Sequence, residues 1–246
     1  MGSISHGGHE RGKRGDGDLT RARILESAGQ LAAECGYANM TSKQVCERAH
    51  VNMAAVNYHF GSREGLYAAV LAEAHDRLFT LERLRQILAE GTAREKLSRT
   101  LDELLAHLHG PRSWHVRVLA REFFSPAGFV DPFLQEKVHP KARLLRGLLS
   151  EITGIPQDAS QLDCCIASSM GTCMMLIMLD PAFADSLFPN LTEKSASLDQ
   201  MVKDFIFAGL DDAAAKWRAR SAGSSAGPDP TRDHRQDLSG RSGGIR

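Results

Sequence analysis

Residues Thr41 to Phe60, TSKQVCERAHVNMAAVNYHF, decide how this chain is read. Thr41 suits a helix N-cap, and Gln44 three residues on completes a capping box that satisfies two amide donors. Val45 and Ala49, spaced i and i+4, give that helix one small apolar face. It ends near His50. Val51 is the only apolar residue of the turn and fills the corner, and Asn52 can cap a second helix. That helix carries Met53 to His59 and stops at Phe60-Gly61, with Val56 and Phe60 inward and Met53, Ala54, Ala55, Asn57 and His59 outward. A helix with a small, plain start can approach another surface closely. Asn57, Tyr58 and His59 then offer donors and acceptors to base edges or phosphates of a major groove about 12 Å wide. That is helix-turn-helix geometry with the second helix as reader. The same spacing also fits an αα-corner packed inside a helical protein.

Outward from this stretch the chain reads as helical throughout. Thr20 to Cys35 forms helix 1, with Ile24, Ala28, Leu31 and Ala32 on one stripe and Gly36 just past its end. Ser62 caps a helix carrying Leu66, Val70, Leu71, Ala74 and Leu78, whose pattern runs on through Leu81, Leu84 and Leu88 to Gly91. A second capping box, Thr92 with Glu95, opens the next helix, and Gly110-Pro111 stops it. Helices follow from Ser113 to Pro126, from Asp131-Pro132 to Thr153 with an interruption at Pro140, and from Ser160 to Asp180-Pro181. A last helix carries Leu198, Met201, Val202, Phe205, Ile206 and Leu210. The two final helices have broad apolar stripes and small residues (Ser169, Gly171, Gly209), which suits a four-helix bundle made by two subunits. Alternating β-branched runs are absent, so the fold class is all-α.

Composition sets bounds on function. The 246 residues balance 30 Lys+Arg against 30 Asp+Glu, which announces no nucleic-acid partner. From Leu19 to Leu66, Arg21, Arg23, Lys43, Arg48 and Arg63 stand against Glu26, Glu34, Glu47 and Glu64. Phosphate binding would therefore rest on placement and helix N-termini. Residues 1–17 read as a flexible basic arm carrying Arg11, Lys13 and Arg14, and 219–246 as a disordered tail. No run of 18 apolar residues and no apolar leader appear, so no membrane partner and a cytoplasmic location are expected. Cys35, Cys46, Cys164, Cys165 and Cys173 form no C-x-x-C pair and read as buried free thiols. Gly-x-Ser-x-Gly, His-Glu-x-x-His, phosphate-loop and dinucleotide patterns are all absent, so neither catalysis nor a cofactor or metal is expected.

The helix from Ser113 poses a specific question. It is largely apolar, yet carries Arg117 and Arg121 at i and i+4, with Glu122 beside them. Buried charges need partners. Either the arginines, with Trp114, His115 and Phe124, line a pocket for an anionic or polar small molecule, or they belong to an internal ion-pair network. Met170 and Met174 on a later helix are further lining candidates, and equally suit a malleable packing surface.

Leu19 to Leu71 resembles the DNA-binding domain of the tetracycline-repressor (TetR) family of transcriptional regulators. The resemblance is carried by Arg23-Ile24-Leu25-Glu26-Ser27-Ala28, Gly36-Tyr37, Thr41, Ala49-His50-Val51, Tyr58-His59-Phe60 and Ser62-Arg63-Glu64-Gly65-Leu66. His50 stands where glycine is usual, and Cys46 where alanine is usual. Keeping the usual turn would demand a positive φ at His50. The resemblance implies a reader domain over 18–78 and a helical ligand-binding and dimerisation domain over 79–218. It implies DNA contacts from Thr41, Ser42, Lys43, Asn52, Met53, Ala54, Ala55, Asn57, Tyr58 and His59, with Arg63 on a phosphate. Arg121-Glu122-Phe123-Phe124-Ser125-Pro126 and the helix after Asp131 are similar to the regulatory domain of the CecR group, which implies a drug- or toxicant-responsive repressor. The expected partners are operator DNA, a small-molecule inducer and a second copy of the chain. The alternative is a small-molecule carrier or sensor that retains a degenerate reader.

Overall fold

The computed structural model describes residues 9–108, 113–124, 127–128, 131–191 and 196–225, and among them every regular element is helical. Helix α1 spans His9–Asn39. It starts well before Thr20, so the expected flexible arm is helical from His9 onward. Gly36, at φ 76° and ψ 165°, breaks it where the sequence placed its end. The stripe of Ile24, Ala28, Leu31 and Ala32 is buried. Against it pack α2 (Ser42–Ala49), α3 (Met53–Phe60) and α4 (Arg63–Leu78). Leu66, Val70, Leu71 and Ala74 of α4 are wholly shielded from solvent. Each such leucine or valine contributes roughly 1.5–3 kcal/mol.

Contrary to the pattern that ran on to Gly91, α4 ends at Leu78. Phe79 is extended (φ −171°, ψ 148°), and Thr80 caps a separate helix α5 (Leu81–Ala89), accepting from the Arg83 amide at 3.0 Å. Apolar periodicity continues across the break because both helices face the same core, and the cap residue is what separates them. Helix α6 (Ala93–Leu105) carries the Thr92/Glu95 capping box as read. It is followed by α7 (Trp114–Phe124). Gly110-Pro111 and Ser125-Pro126, the expected stops, lie outside the described residues.

Asp131 begins α8 (Asp131–Phe133), which passes through a π-turn, Leu134–Val138, into α9 (His139–Thr153). The π-turn sits against Pro140, whose ring has no amide to give the carbonyl four residues back and clashes with it. A wider turn relieves both faults. Helix α10 (Ser160–Met178) precedes α11 (Pro181–Leu187), a helix the sequence reading did not separate and which Asp180 caps through the Ala182 and Phe183 amides. Helix α12 (Ala196–Ser225) extends past residue 219, so the start of the expected disordered tail is helical and the remainder lies outside the described residues.

Two apolar cores hold these helices. One joins α1–α4 to Trp114, Val118 and Leu119 of α7, so the reader domain has no core of its own and shares that of α7. The other binds α6, α9, α10 and α12 through Leu101, Leu149, Leu162, Cys173, Ile206 and Leu210. Helix α10 is long and apolar enough to cross a membrane by length and composition. It packs against α6, α7, α9 and α12, with Leu162, Ser169, Cys173 and Ile177 buried. The cysteines are all free but not all buried: Cys173 is enclosed and Cys164 exposed.

Candidate nucleic-acid interface and the domain junction

The reader is built by short-range hydrogen bonds. Thr41 Oγ1 accepts from the Gln44 amide at 3.2 Å, and Gln44 Oε1 accepts from the Thr41 amide at 2.9 Å. His50 takes the left-handed conformation the turn requires, φ 52° and ψ 49°, and the Val51 amide closes onto the Cys46 carbonyl at 3.0 Å. Asn52 Oδ1 then accepts from the Ala55 amide at 2.9 Å and starts α3. Arg48 braces α2 against α1 with two 2.9 Å bonds to the Glu34 carboxylate, which holds Glu34 below the usual carboxylate range.

Within α3 only Val56 is buried. Phe60 is half-buried beneath the Arg21 guanidinium, 5.1 Å from the ring centroid. Tyr58 is 85% exposed, and Asn52, Met53, Ala54 and Asn57 are exposed with it. Ala55 and His59, expected outward, are half-buried, the latter edge-on to Tyr58 at 5.0 Å. At the N-terminus of α2, Thr41 and Lys43 are exposed and Ser42 is half-buried. Arg63 points elsewhere. Its guanidinium lies 4.1 Å over the Tyr37 ring and donates to the Tyr37 and Ala38 carbonyls, and its Nε is buried without a partner. The structure spends this arginine on the α1–α2 corner.

Behind the reader, α7 crosses α1 and α4. Trp114 Nε1 donates to Glu26 at 2.8 Å, and the indole lies flat on His115 with ring centroids 3.7 Å apart. Burial, then the nearby Arg77 charge, lowers the His115 pKa. Arg121 donates to the Ala33 carbonyl through Nε at 3.0 Å and to the Glu34 carbonyl through Nη2 at 3.1 Å. Glu122 accepts from the Tyr67 hydroxyl at 2.8 Å and the Ala127 amide at 2.6 Å. Burial and the Glu122 carboxylate together push the Tyr67 phenol well above its usual pKa.

Here the ligand expectation divides. Arg117 and Arg121 line one cleft of about 710 Å³ between the end of α1, α4 and α7, together with Tyr37, Tyr67, Glu122 and Met178. Both arginines are exposed, so the premise of buried charges on this helix was wrong. Trp114 and His115 are not in the cleft lining. Met170 and Met174 pack against the apolar cores instead. The side chain of Phe124 lies outside the described residues. Tyr67 and Glu122 were missed as a pair because they are 55 positions apart. Only the odd placement of Glu122 on an apolar helix hinted at a partner.

A helix-turn-helix whose second helix is bare, joined to a larger helical domain, defines a DNA-binding regulator by class. Residues 24–70 match the family described as bacterial regulatory proteins, tetR family, and residues 93–212 match the C-terminal domain of the HTH-type transcriptional dual regulator CecR. The chain is similar to the HTH-type transcriptional repressor Rv3405c of Mycobacterium tuberculosis, 27% identical over 195 residues that cover 79% of this chain and 87% of that protein. It is also similar to YttP of Bacillus subtilis, a probable HTH-type transcriptional regulator, 26% identical over 94 residues, 38% of this chain and 45% of the other. Among solved structures, the regulator FadR of Bacillus subtilis in complex with stearoyl-CoA superposes with a TM-score of 0.56 over 76% of this chain and 98% of that one, at 17% identity. The chain belongs to the TetR family of transcriptional regulators and carries a CecR-like C-terminal domain.

Proposed function

We propose that this regulator is a cytoplasmic repressor that binds operator DNA as a homodimer and is released by a small molecule. The observation that carries the reading is α3 itself: eight residues with a single buried side chain and Tyr58 85% exposed. A helix that bare is shaped for a groove. Asn57, Tyr58 and His59 would face base edges, and the N-terminus of α2 with Thr41, Ser42 and Lys43 would meet phosphates. Met53, Ala54 and Ala55 would allow close approach. Dimerisation through α10 and α12 is supported by apolar side chains left in solvent on that side, Met175, Met201 and Phe205, of which Phe205 is 70% exposed. Two readers on a twofold axis would then meet half-sites about 34–36 Å apart, or a multiple of that.

For the inducer, the cleft at the domain junction supports a molecule with a hydrogen-bond-accepting head, of the drug or toxicant type. Arg121 and Glu122 already have partners, whereas Arg117 makes no hydrogen bond or ion pair among the described residues. Its guanidinium offers donors in a fork that fits a carboxylate. A ligand there touches both domains and can shift the regulator only through unequal affinity for its two states. Titrating the purified protein onto DNA flanking its own coding region, across a range of salt, tests the reading. Specific retardation that weakens with salt and is reversed by organic carboxylates is expected. Absence of any specific shift would favour a carrier with a degenerate reader, which the near balance of charge over Leu19–Leu66 permits.

A further inference from the structure

The reader domain leaves through the last turn of α4, and a helix end of this kind presents carbonyls without amide partners. Three side chains of the regulatory domain meet that end: His107 Nε2 lies 2.7 Å from the Leu78 carbonyl, Lys137 reaches Asp76, and Lys141 makes the most bonds. Lys141 of α9 is only 4% exposed, although an unpaired lysine is seldom found so deep. Its ammonium donates to the Phe79 carbonyl at 2.6 Å, to Asp76 Oδ1 at 3.2 Å and to His75 Nδ1 at 2.9 Å. An ammonium has three protons, and here three acceptors receive them. All three lie within five residues at the end of α4.

Neighbouring groups close the arrangement. Lys137, at the π-turn, gives its own ammonium to Asp76 Oδ2 at 2.8 Å, so each oxygen of that carboxylate holds a different lysine. The Phe133 ring stands edge-on against His75 at 5.6 Å, and the Lys141 ammonium lies 5.5 Å from the centre of the Phe79 ring. Burial works against the Asp76 carboxylate, but the two lysines outweigh it and hold its pKa below the usual value. Burial also lowers the Lys141 pKa, with Asp76 pulling the other way. A positive charge at a helix C-terminus is favoured by the helix dipole as well.

We propose that Lys141 is a positioning residue that holds α9 of the regulatory domain to the exit of the reader domain, by bonding His75, Asp76 and the Phe79 carbonyl at once. Arg121 on the α1 carbonyls lies nearer the reader, whereas His107 on the Leu78 carbonyl and Lys137 on Asp76 share this end of α4 with Lys141. The lysine grips the point where the chain itself passes from one domain to the other, between Leu78 and Thr80. A hinge is possible there because Phe79 is extended and α5 starts afresh. With Lys141 in place, movement of α9 is passed to α4. Without it, α9 loses its bonds to the end of α4, and the two helices can shift against each other there while the shared core with α7 remains.

The test uses the full chain carrying donor and acceptor dyes on ketone-bearing amino acids at two exposed sites, Glu47 of α2 and Glu151 of α9, with labelled chains diluted into an excess of unlabelled ones. Single-molecule energy transfer in the native protein should report one narrow distance. Lys141→Met, and the double change Asp76→Leu with Lys141→Met, should broaden or shift that distance while the helical circular-dichroism signal persists. The double change covers the case in which Lys141→Met alone, by leaving Asp76 Oδ1 without its partner, unfolds the protein. A folded double variant that keeps the native narrow distance overturns the proposal. Loss of the helical signal in the double variant overturns it too, since the lysine would then serve folding and not positioning.

Discussion

The reader helix and the domain junction use similar residue types in opposite ways. On α3, Asn57 and Tyr58 face solvent, with only Val56 anchored below. At the junction, Trp114, Arg121 and Glu122 each hold a partner on α1, α4 or the segment after α7, and Lys141 holds three. Polar groups left unspent on a rigid helix mark a surface made for something else. Polar groups spent across a domain boundary make two domains move as one. The contrast predicts that substitutions at the junction act on stability, whereas substitutions on α3 act on DNA alone.

The largest effect should come from acid. Burial and the Lys141 charge hold the His75 pKa down at about 4, against an ordinary value of 6.5. Between those values the unfolded chain carries a proton that the folded one refuses. The stability His75 contributes is therefore complete above pH 6.5 and is lost as pH falls towards 4, by up to about 3 kcal/mol. The lowered Asp76 pKa acts in the same direction at lower pH. Urea unfolding at pH 7 and pH 5 should show the loss, and His75→Asn should remove much of it. An unchanged slope in that variant would contradict the buried neutral imidazole.

Next comes the crossing of α1 and α7. A methyl on Gly29 would lie 2.5 Å from the Trp114 ring, which is fixed by its bond to Glu26. Gly29→Ala should therefore lower stability by roughly 1–3 kcal/mol in urea unfolding, despite alanine's better helix propensity. A neutral or stabilising result would mean that the crossing can open freely. On the reader, Tyr58→Ala should leave unfolding within about 0.5 kcal/mol of the native protein. The same change should weaken operator binding by roughly 1–3 kcal/mol. Loss of stability there would place Tyr58 on the junction's side of the contrast. The smallest change expected is at the corner: His50→Gly relieves a left-handed φ of 52° and should stabilise by less than about 1 kcal/mol, since glycine's freedom in the unfolded chain offsets part of the gain.

What the sequence made legible was local. Caps at Thr41, Asn52, Ser62 and Thr92, and the strained φ at His50, follow from residues within a few positions of one another, and the structure has them. The break at Phe79 escaped because both sides of it keep one apolar face toward the same core. The buried role of Lys141 escaped because its partners lie more than sixty residues away. Arg63 shows the same limit: its position in the motif suggested a phosphate contact, and nothing local foretold that its guanidinium would lie on the Tyr37 ring and the carbonyls of the α1–α2 corner.

Where α3 docks decides whether this protein reads DNA as a pair. Footprinting of the purified assembly on its selected DNA should show two protected major-groove segments on one face of the duplex, one helical turn or a whole multiple apart, both lost when Tyr58 and His59 are replaced by alanine. Protection that persists unchanged in that variant, or a lone protected segment bound by a single chain, would contradict it.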